Sequence, residues 1–220
     1  AIAKGKPLAA QIFGVDEAMV EYKDGDYRVP ATNHVISILD LARRAPDRQP
    51  IPASAQSSLN SLSEFVSPQM SFPNGCHVCE VEIDPDTGEV EVVRYAAVDD
   101  VGNIVHETIV DGQVHGGIAQ GLGQVLGEHV QYNDGQLINA SLMDYFVPRA
   151  DSMPMFRTGH HVVPCTTNPI GVKGAGESGV AGSLPSGIEA VIDALSEYGI
   201  EHFDLPASPA RVWAAINGKL

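Results

Sequence analysis

The sequence predicts an α+β fold in which antiparallel hairpins and a mixed sheet pack with several helices. Three observations carry this. Stretches 77–84 and 89–98 alternate apolar and polar residues, the period of half-buried strands, and Asp84-Pro85-Asp86-Thr87-Gly88 between them has the composition of a turn. Residues 19–22 and 27–29 flank Lys23-Asp24-Gly25-Asp26, where Asp-Gly suits a tight hairpin turn. Apolar residues recur at helical spacing in several other segments.

In chain order, Leu8, Ile12 and Val15 predict a short helix before Asp16. After the first hairpin, Ser37 caps a helix over 38–44, with Asp40 at the capping-box position and arginines near its C-terminal end. From Pro46 to about Pro73 the composition shifts to Pro, Ser and Gln, which cannot bury enough apolar area to order itself and is expected to run over a surface. Three parts follow from this: 1–45, a helix–hairpin–helix segment; 46–73, a surface loop; and 74–220, the remainder. Residues 111–132 carry Val114, Ile118, Leu122, Val125 and Leu126 on one helical face, yet Gly112, Gly116, Gly117, Gly121, Gly123 and Gly127 interrupt it. Each interior glycine costs about 0.5–1 kcal/mol relative to alanine, so packing against another backbone or a flat ligand must hold such a helix. Ser183 and Pro185 are read as opening a helix through Leu195, and Ser208 and Pro209 another through Ile216.

The 220 residues carry a formal net charge of -15, which disfavours nucleic acid and anionic membrane surfaces as partners. No apolar run approaches the roughly 20 residues of a membrane span. The start, Ala1-Ile2-Ala3-Lys4, lacks the order of a secretion signal and reads as a processed or excised N-terminus. Three cysteines cannot all pair, so a reducing cytoplasm is the expected setting.

Among the chemical candidates, Gly171-Val172-Lys173-Gly174-Ala175-Gly176-Glu177-Ser178-Gly179 sets one carboxylate among residues with almost no side chain. A Glu wrapped in this way is a candidate for a carboxylate held dry, with a raised pKa, as a general base needs; the other reading is an exposed Glu on a surface loop. The same stretch formally matches the GxGxxG dinucleotide fingerprint, but no buried strand runs into it and the next helix is expected only near Ser183. Cys76 and Cys79 form a CxxC within or beside a strand, where an odd offset sends the side chains to opposite faces; small buried hydrophobes are favoured over zinc ligands. The histidines show no metal-binding spacing, and structural or solvent-exposed roles are expected for each, His115 included. Gln113 is placed at the mouth of the glycine-rich helix, where an amide and free N–H groups would suit an anion.

Several long motifs in order resemble the molybdenum hydroxylases, the family of xanthine dehydrogenase, aldehyde oxidase and aerobic carbon monoxide dehydrogenase. They are Phe72-Pro73-Asn74-Gly75-Cys76-His77-Val78, Val81-Glu82-Ile83-Asp84-Pro85-Asp86-Thr87-Gly88 and Val98-Asp99-Asp100-Val101-Gly102, then Gly112-Gln113-Val114-His115-Gly116-Gly117-Ile118-Ala119-Gln120-Gly121, Asp144-Tyr145-Phe146-Val147-Pro148-Arg149-Ala150 and Thr167-Asn168-Pro169-Ile170-Gly171-Val172-Lys173-Gly174-Ala175-Gly176-Glu177. The resemblance covers only the C-terminal part of the molybdopterin-binding large subunit. It implies an oxidoreductase that hydroxylates an aldehyde, N-heterocycle or similar small substrate, or oxidises carbon monoxide, with oxygen from water. Glu177 is similar to the family's active-site glutamate and implied general base. Gln113 is similar to the glutamine that touches the pterin, Gly112, Gly116 and Gly117 would let the helix approach it, and Lys173, Gly174 and Gly176 would shape the loop carrying Glu177. The implied cofactor is molybdopterin, plain or as the cytosine dinucleotide, with no protein ligand to the molybdenum. Implied partners are the remaining portion of the large subunit and subunits carrying iron–sulfur clusters and FAD. His106-Glu107 stands where relatives usually have Asn-Pro, and Cys76 and Cys79 where small residues are common. The alternative readings are a non-catalytic assembly module and a dinucleotide-binding domain.

Overall fold

A computed structural model describes residues 1–30, 32–44, 59 and 61–219. It divides into two compact units, Ala1–Val66 and Ser67–Leu220. Of the expected 46–73 surface loop, 46–58 and 60 lie outside the described residues, while 61–70 are exposed throughout.

In the first unit, α1 (Ile2–Phe13) is followed by a hairpin of β1 (Glu21–Lys23) and β2 (Asp26–Arg28), with β3 (Val35–Ser37) antiparallel on the other side of β2. The Asp24-Gly25 turn works as expected, both residues having positive φ. Helix α2 (Ile38–Arg44) begins at Ser37, whose hydroxyl accepts the Asp40 N–H at 3.0 Å and donates to the Asp40 carboxylate at 2.9 Å. Ala9, Ala10, Val20, Tyr27, Ile36 and Leu41 form the core of this unit.

The second unit is built on a three-stranded mixed sheet. Strands β4 (Asn74–Ile83) and β5 (Val90–Asp100) form the expected long hairpin, with a bulge at Glu80/Val81. Helix α3 (Glu107–Leu126) follows, then a small hairpin of β6 (Tyr132–Asn133) and β7 (Gln136–Leu137). Strand β8 (Arg157–His160) then pairs parallel with β5, which is therefore central. Helices α4 (Ser178–Leu195) and α5 (Pro209–Ile216) complete the unit. Val92, Tyr95 and Ala97 of β5 pack with Val114, Ile118 and Leu122 of α3, while Val125 joins Val191, Leu195 and Val212 in an adjoining cluster.

Three expectations are corrected. Helix α3 starts at Glu107 rather than 111 and ends at Leu126 rather than 132, so Gln113 lies in its second turn and its N–H is not a free helix-start donor. Helix α4 starts at Ser178, five residues before Ser183, and Pro185 lies inside it. Cys76 is exposed on the outward side of β4; only Cys79 turns toward the core, where burial pushes its thiol up to about 11. Helix α5, by contrast, opens on Ser208 and Pro209 as read.

The glycines explain how α3 forms against its propensity. A Cβ on Gly117 would stand 2.7 Å from the Val180 nitrogen and 2.9 Å from the Gly179 Cα, and one on Gly179 would stand 2.9 Å from the Ile118 nitrogen. Helices α3 and α4 thus touch backbone to backbone. Across that contact Ser183 Oγ donates to the Gly117 carbonyl at 3.3 Å.

Candidate functional site

The loop that carries Glu177 is fixed at its base by polar contacts. Asn168 Nδ2 donates to the Val172 carbonyl at 2.8 Å, and the Val172 N–H donates back to Asn168 Oδ1 at 3.1 Å. The Gly171 carbonyl accepts from the Asn103 and Cys165 N–H groups at 2.8 and 3.0 Å. Gly171 has a φ of 68°, which few other residues adopt without strain. Lys173 then makes two bonds to the end of β5, its N–H to the Val101 carbonyl at 2.8 Å and its ammonium to Asp100 at 2.5 Å.

Asp100 is 5% exposed. Burial pushes its pKa up, but the Lys173 ammonium and the Gly102 and Val163 N–H groups outweigh this and hold it at about 2. Lys173 therefore has its charge committed to Asp100, with its side chain 12% exposed.

Beyond Lys173 the chain opens out. Gly174, Gly176 and Glu177 are exposed, and Glu177 is the N-cap of α4 without a side-chain cap bond. The expectation of a carboxylate held dry is not met within this chain, because its glycine neighbours shield nothing. The glycine loop nevertheless meets α3: a Cβ on Gly176 would stand 3.6 Å from Gln113 Oε1. Glu177 therefore follows directly on a residue beside Gln113, although the two are far apart in sequence.

Along α3, Gly112, Gln113 and Gly116 are exposed. A Cβ on Gly112, Gly116 or Gly174 would meet nothing within 4 Å, and none of the three has a positive φ. Neither packing among the described residues nor backbone conformation requires glycine there. Closely approached backbone is the remaining physical reason, and a flat group such as the pterin fits it. Gly117 differs, being buried under α4, so its smallness serves helix–helix contact.

Sequence reasoning missed a buried polar chain behind this loop. His77 Nδ1 lies 2.8 Å from the Tyr95 hydroxyl, which lies 3.0 Å from Ser186 Oγ, and His77 Nε2 lies 3.2 Å from Asp99 Oδ1. Asp99 Oδ2 is buried without a hydrogen-bond partner among the described residues. The available signal was Asp99-Asp100 at the end of an apolar strand, where a carboxylate needs partners. Two further histidines are structural: His160 Nε2 is 2.8 Å from Asp111, and His115 Nε2 is 3.2 Å from Thr158 Oγ1, both tying α3 to β8. A dinucleotide fingerprint also needs a strand running into it; among the described residues none does, although α4 opens directly on the loop.

The Glu177 loop, the Gln113 amide and the uncovered glycines of α3 thus lie at one place on the surface of this unit. A family model described as the molybdopterin cofactor-binding domain matches residues 1–154, and the chain belongs to that family, that of the molybdenum hydroxylase large subunits. It is 34% identical over 217 residues to the carbon monoxide dehydrogenase large chain of Hydrogenophaga pseudoflava, covering 98% of this chain and 27% of that protein. With the nicotine 6-hydroxylase large subunit of Paenarthrobacter nicotinovorans the identity is 36% over 214 residues, covering 96% and 26%. The solved structure of a Cu,Mo-CO dehydrogenase superposes with a TM-score of 0.84 at 31% identity, over 99% of this chain and 28% of that one. Quinoline 2-oxidoreductase from Pseudomonas putida 86 gives 0.80 at 31% identity, over 97% and 28%. The chain thus spans about a quarter of the length of the relatives it matches.

Proposed function

We propose that this chain forms one wall of the molybdopterin site of a molybdenum hydroxylase and contributes Glu177 as its general base. The carrying observation is the juxtaposition of Gly176 with Gln113, which brings the carboxylate loop and the uncovered glycines of α3 to one place. When bound, the molybdenum cofactor supplies the two-electron redox chemistry of a hydroxylation whose oxygen comes from water.

The chain's own residues divide the remaining work. Gly112 and Gly116 let the α3 backbone approach the pterin, and the Gln113 amide donates and accepts at its edge. Gly174 and Gly176 keep the approach to Glu177 free of side chains. The Glu177 carboxylate would accept the proton of the attacking water-derived oxygen as the new carbon–oxygen bond forms. The exposure of Glu177 in this chain means that the surroundings a base needs come from the rest of the large subunit. Partner subunits with iron–sulfur clusters and FAD complete the reading, as does a cytoplasmic setting in which the three cysteines stay free thiols. The substrate of this reading is an aldehyde, an N-heterocycle or a similar small molecule, or carbon monoxide.

The test is Glu177→Gln in the assembled enzyme, followed by metal analysis and turnover. A general base predicts a loss of about 10²- to 10⁴-fold with molybdenum retained. Undiminished turnover would instead favour an assembly module, whose signature is failed complex formation on placing a charge at position 116.

A further inference from the structure

Asp99 and Asp100 are consecutive residues at the end of the central strand β5, and both are buried, at 2% and 5% exposure. Successive residues of a strand point to opposite faces, so the two carboxylates reach different neighbours. Asp100 accepts from the Lys173 ammonium at 2.5 Å and from the Gly102 and Val163 N–H groups at 2.9 and 3.1 Å. Lys173 lies four residues before Glu177 and is also tied by its backbone to Val101. Asp99 bonds His77, which bonds Tyr95, which bonds Ser186 in the third turn of α4. The His77 ring also packs on Gly182, where a Cβ would come within 2.5 Å of it. One carboxylate therefore anchors the chain just before Glu177 and the other anchors the helix just after it.

We propose that Asp99 and Asp100 are positioning residues that hold Glu177 from both sides, Asp100 through Lys173 and Asp99 through His77, Tyr95 and α4. This rests on the reading of Glu177 as the general base. Between the two anchors, the side chains of 174–177 make no hydrogen bond among the described residues; Ser178 Oγ donates to the Ala175 carbonyl at 2.9 Å and so ties this segment to the start of α4. Its path follows from where the chain leaves Lys173 and where α4 begins.

In the assembled, molybdenum-loaded enzyme, Asp100→Asn keeps the side-chain shape while removing the charge that holds Lys173. A displacement of about 1 Å of a catalytic group costs up to about 100-fold in rate, so kcat is expected to fall about 10- to 100-fold. KM should stay within about twofold, because the ground-state contacts of substrate are untouched. Molybdenum content should be unchanged, and amide hydrogen exchange should quicken over 171–177. Tyr95→Phe, which removes one oxygen on the helix side, should quicken exchange over 178–186 and lower kcat less. It also serves as the second variant should Asp100→Asn not fold. Unchanged exchange overturns the proposal whatever happens to kcat, as does a kcat loss that follows lost molybdenum. Failure of the general-base reading is seen separately: Glu177→Gln would then turn over normally, while the exchange arm still reports whether the carboxylates hold the loop.

Discussion

Helix α3 carries glycines on two sides for opposite reasons. Gly117 and Gly121 face α4, where Cβ atoms would collide with Val180, Gly179, Ser183 and Leu184. Gly112 and Gly116 face outward, where Cβ atoms would meet nothing. The inner pair is explained entirely by this chain, since only glycine lets two helix backbones lie so close. The outer pair lowers helix stability with no return among the described residues. A glycine that costs stability and gains no contact points to a neighbour beyond the polypeptide described.

Of these glycines, Gly117 is the one where the nearest atoms an added methyl would meet are all backbone. Gly117→Ala places a methyl against backbone that cannot rotate away, and overpacking of this kind is expected to cost about 3 kcal/mol, read as a lowered midpoint of chemical denaturation. Gly121→Ala meets Ser183 first, whose hydroxyl can turn, so a smaller loss of about 1 kcal/mol is expected, with the Ser183 bond to the Gly117 carbonyl broken. Gly116→Ala should do the reverse and raise stability by up to about 1 kcal/mol, while lowering the molybdenum content of the assembled enzyme. If Gly116→Ala destabilised the protein, or left cofactor content intact, the outer face would lose its special meaning.

A pH experiment sharpens the same contrast between what is held within the chain and what is left open. Asp100 has a folded pKa of about 2 against an ordinary 3.8, so its contribution to stability is present above that ordinary value and is lost as pH falls toward 2. The difference in melting temperature between the wild type and Asp100→Asn should be fully present at neutral pH and shrink across that acid window. The exposed carboxylate of Glu177 makes no such bond among the described residues, and Glu177→Gln should leave the melting temperature at neutral pH nearly unchanged.

Elements with a local cause were legible in the sequence. The β4–β5 hairpin announces itself by alternation and by a turn of Asp, Pro and Gly, and α5 by Ser208 and Pro209. The start of α4 was not legible, because Ser178-Gly179-Val180-Ala181-Gly182 has no apolar stripe. Its helix is held by α3, a partner far away in sequence. Pro185 misled for the same reason: proline usually marks a helix start, and here it lies inside, removing the N–H that would reach back to Ala181. The start of α3 was hidden by Thr108-Ile109-Val110, whose branched side chains suit strands. Of the site, the Glu177 loop and Gln113 were visible as motifs, and their approach to one another was not, since it depends on the α3–α4 contact. The buried Asp99–His77–Tyr95–Ser186 chain spans three elements and leaves only a pair of aspartates as its local trace.

The uncapped start of α4 has an entropic corollary. Glu177 makes no side-chain hydrogen bond among the described residues, so its rotamers are unrestrained by its own polypeptide. Freezing such a side chain costs about 1.5–2 kcal/mol. That ordering falls to whatever surrounds the carboxylate in the complete protein, which makes the sharpness of the Glu177 side-chain conformation a gauge of how far assembly has gone.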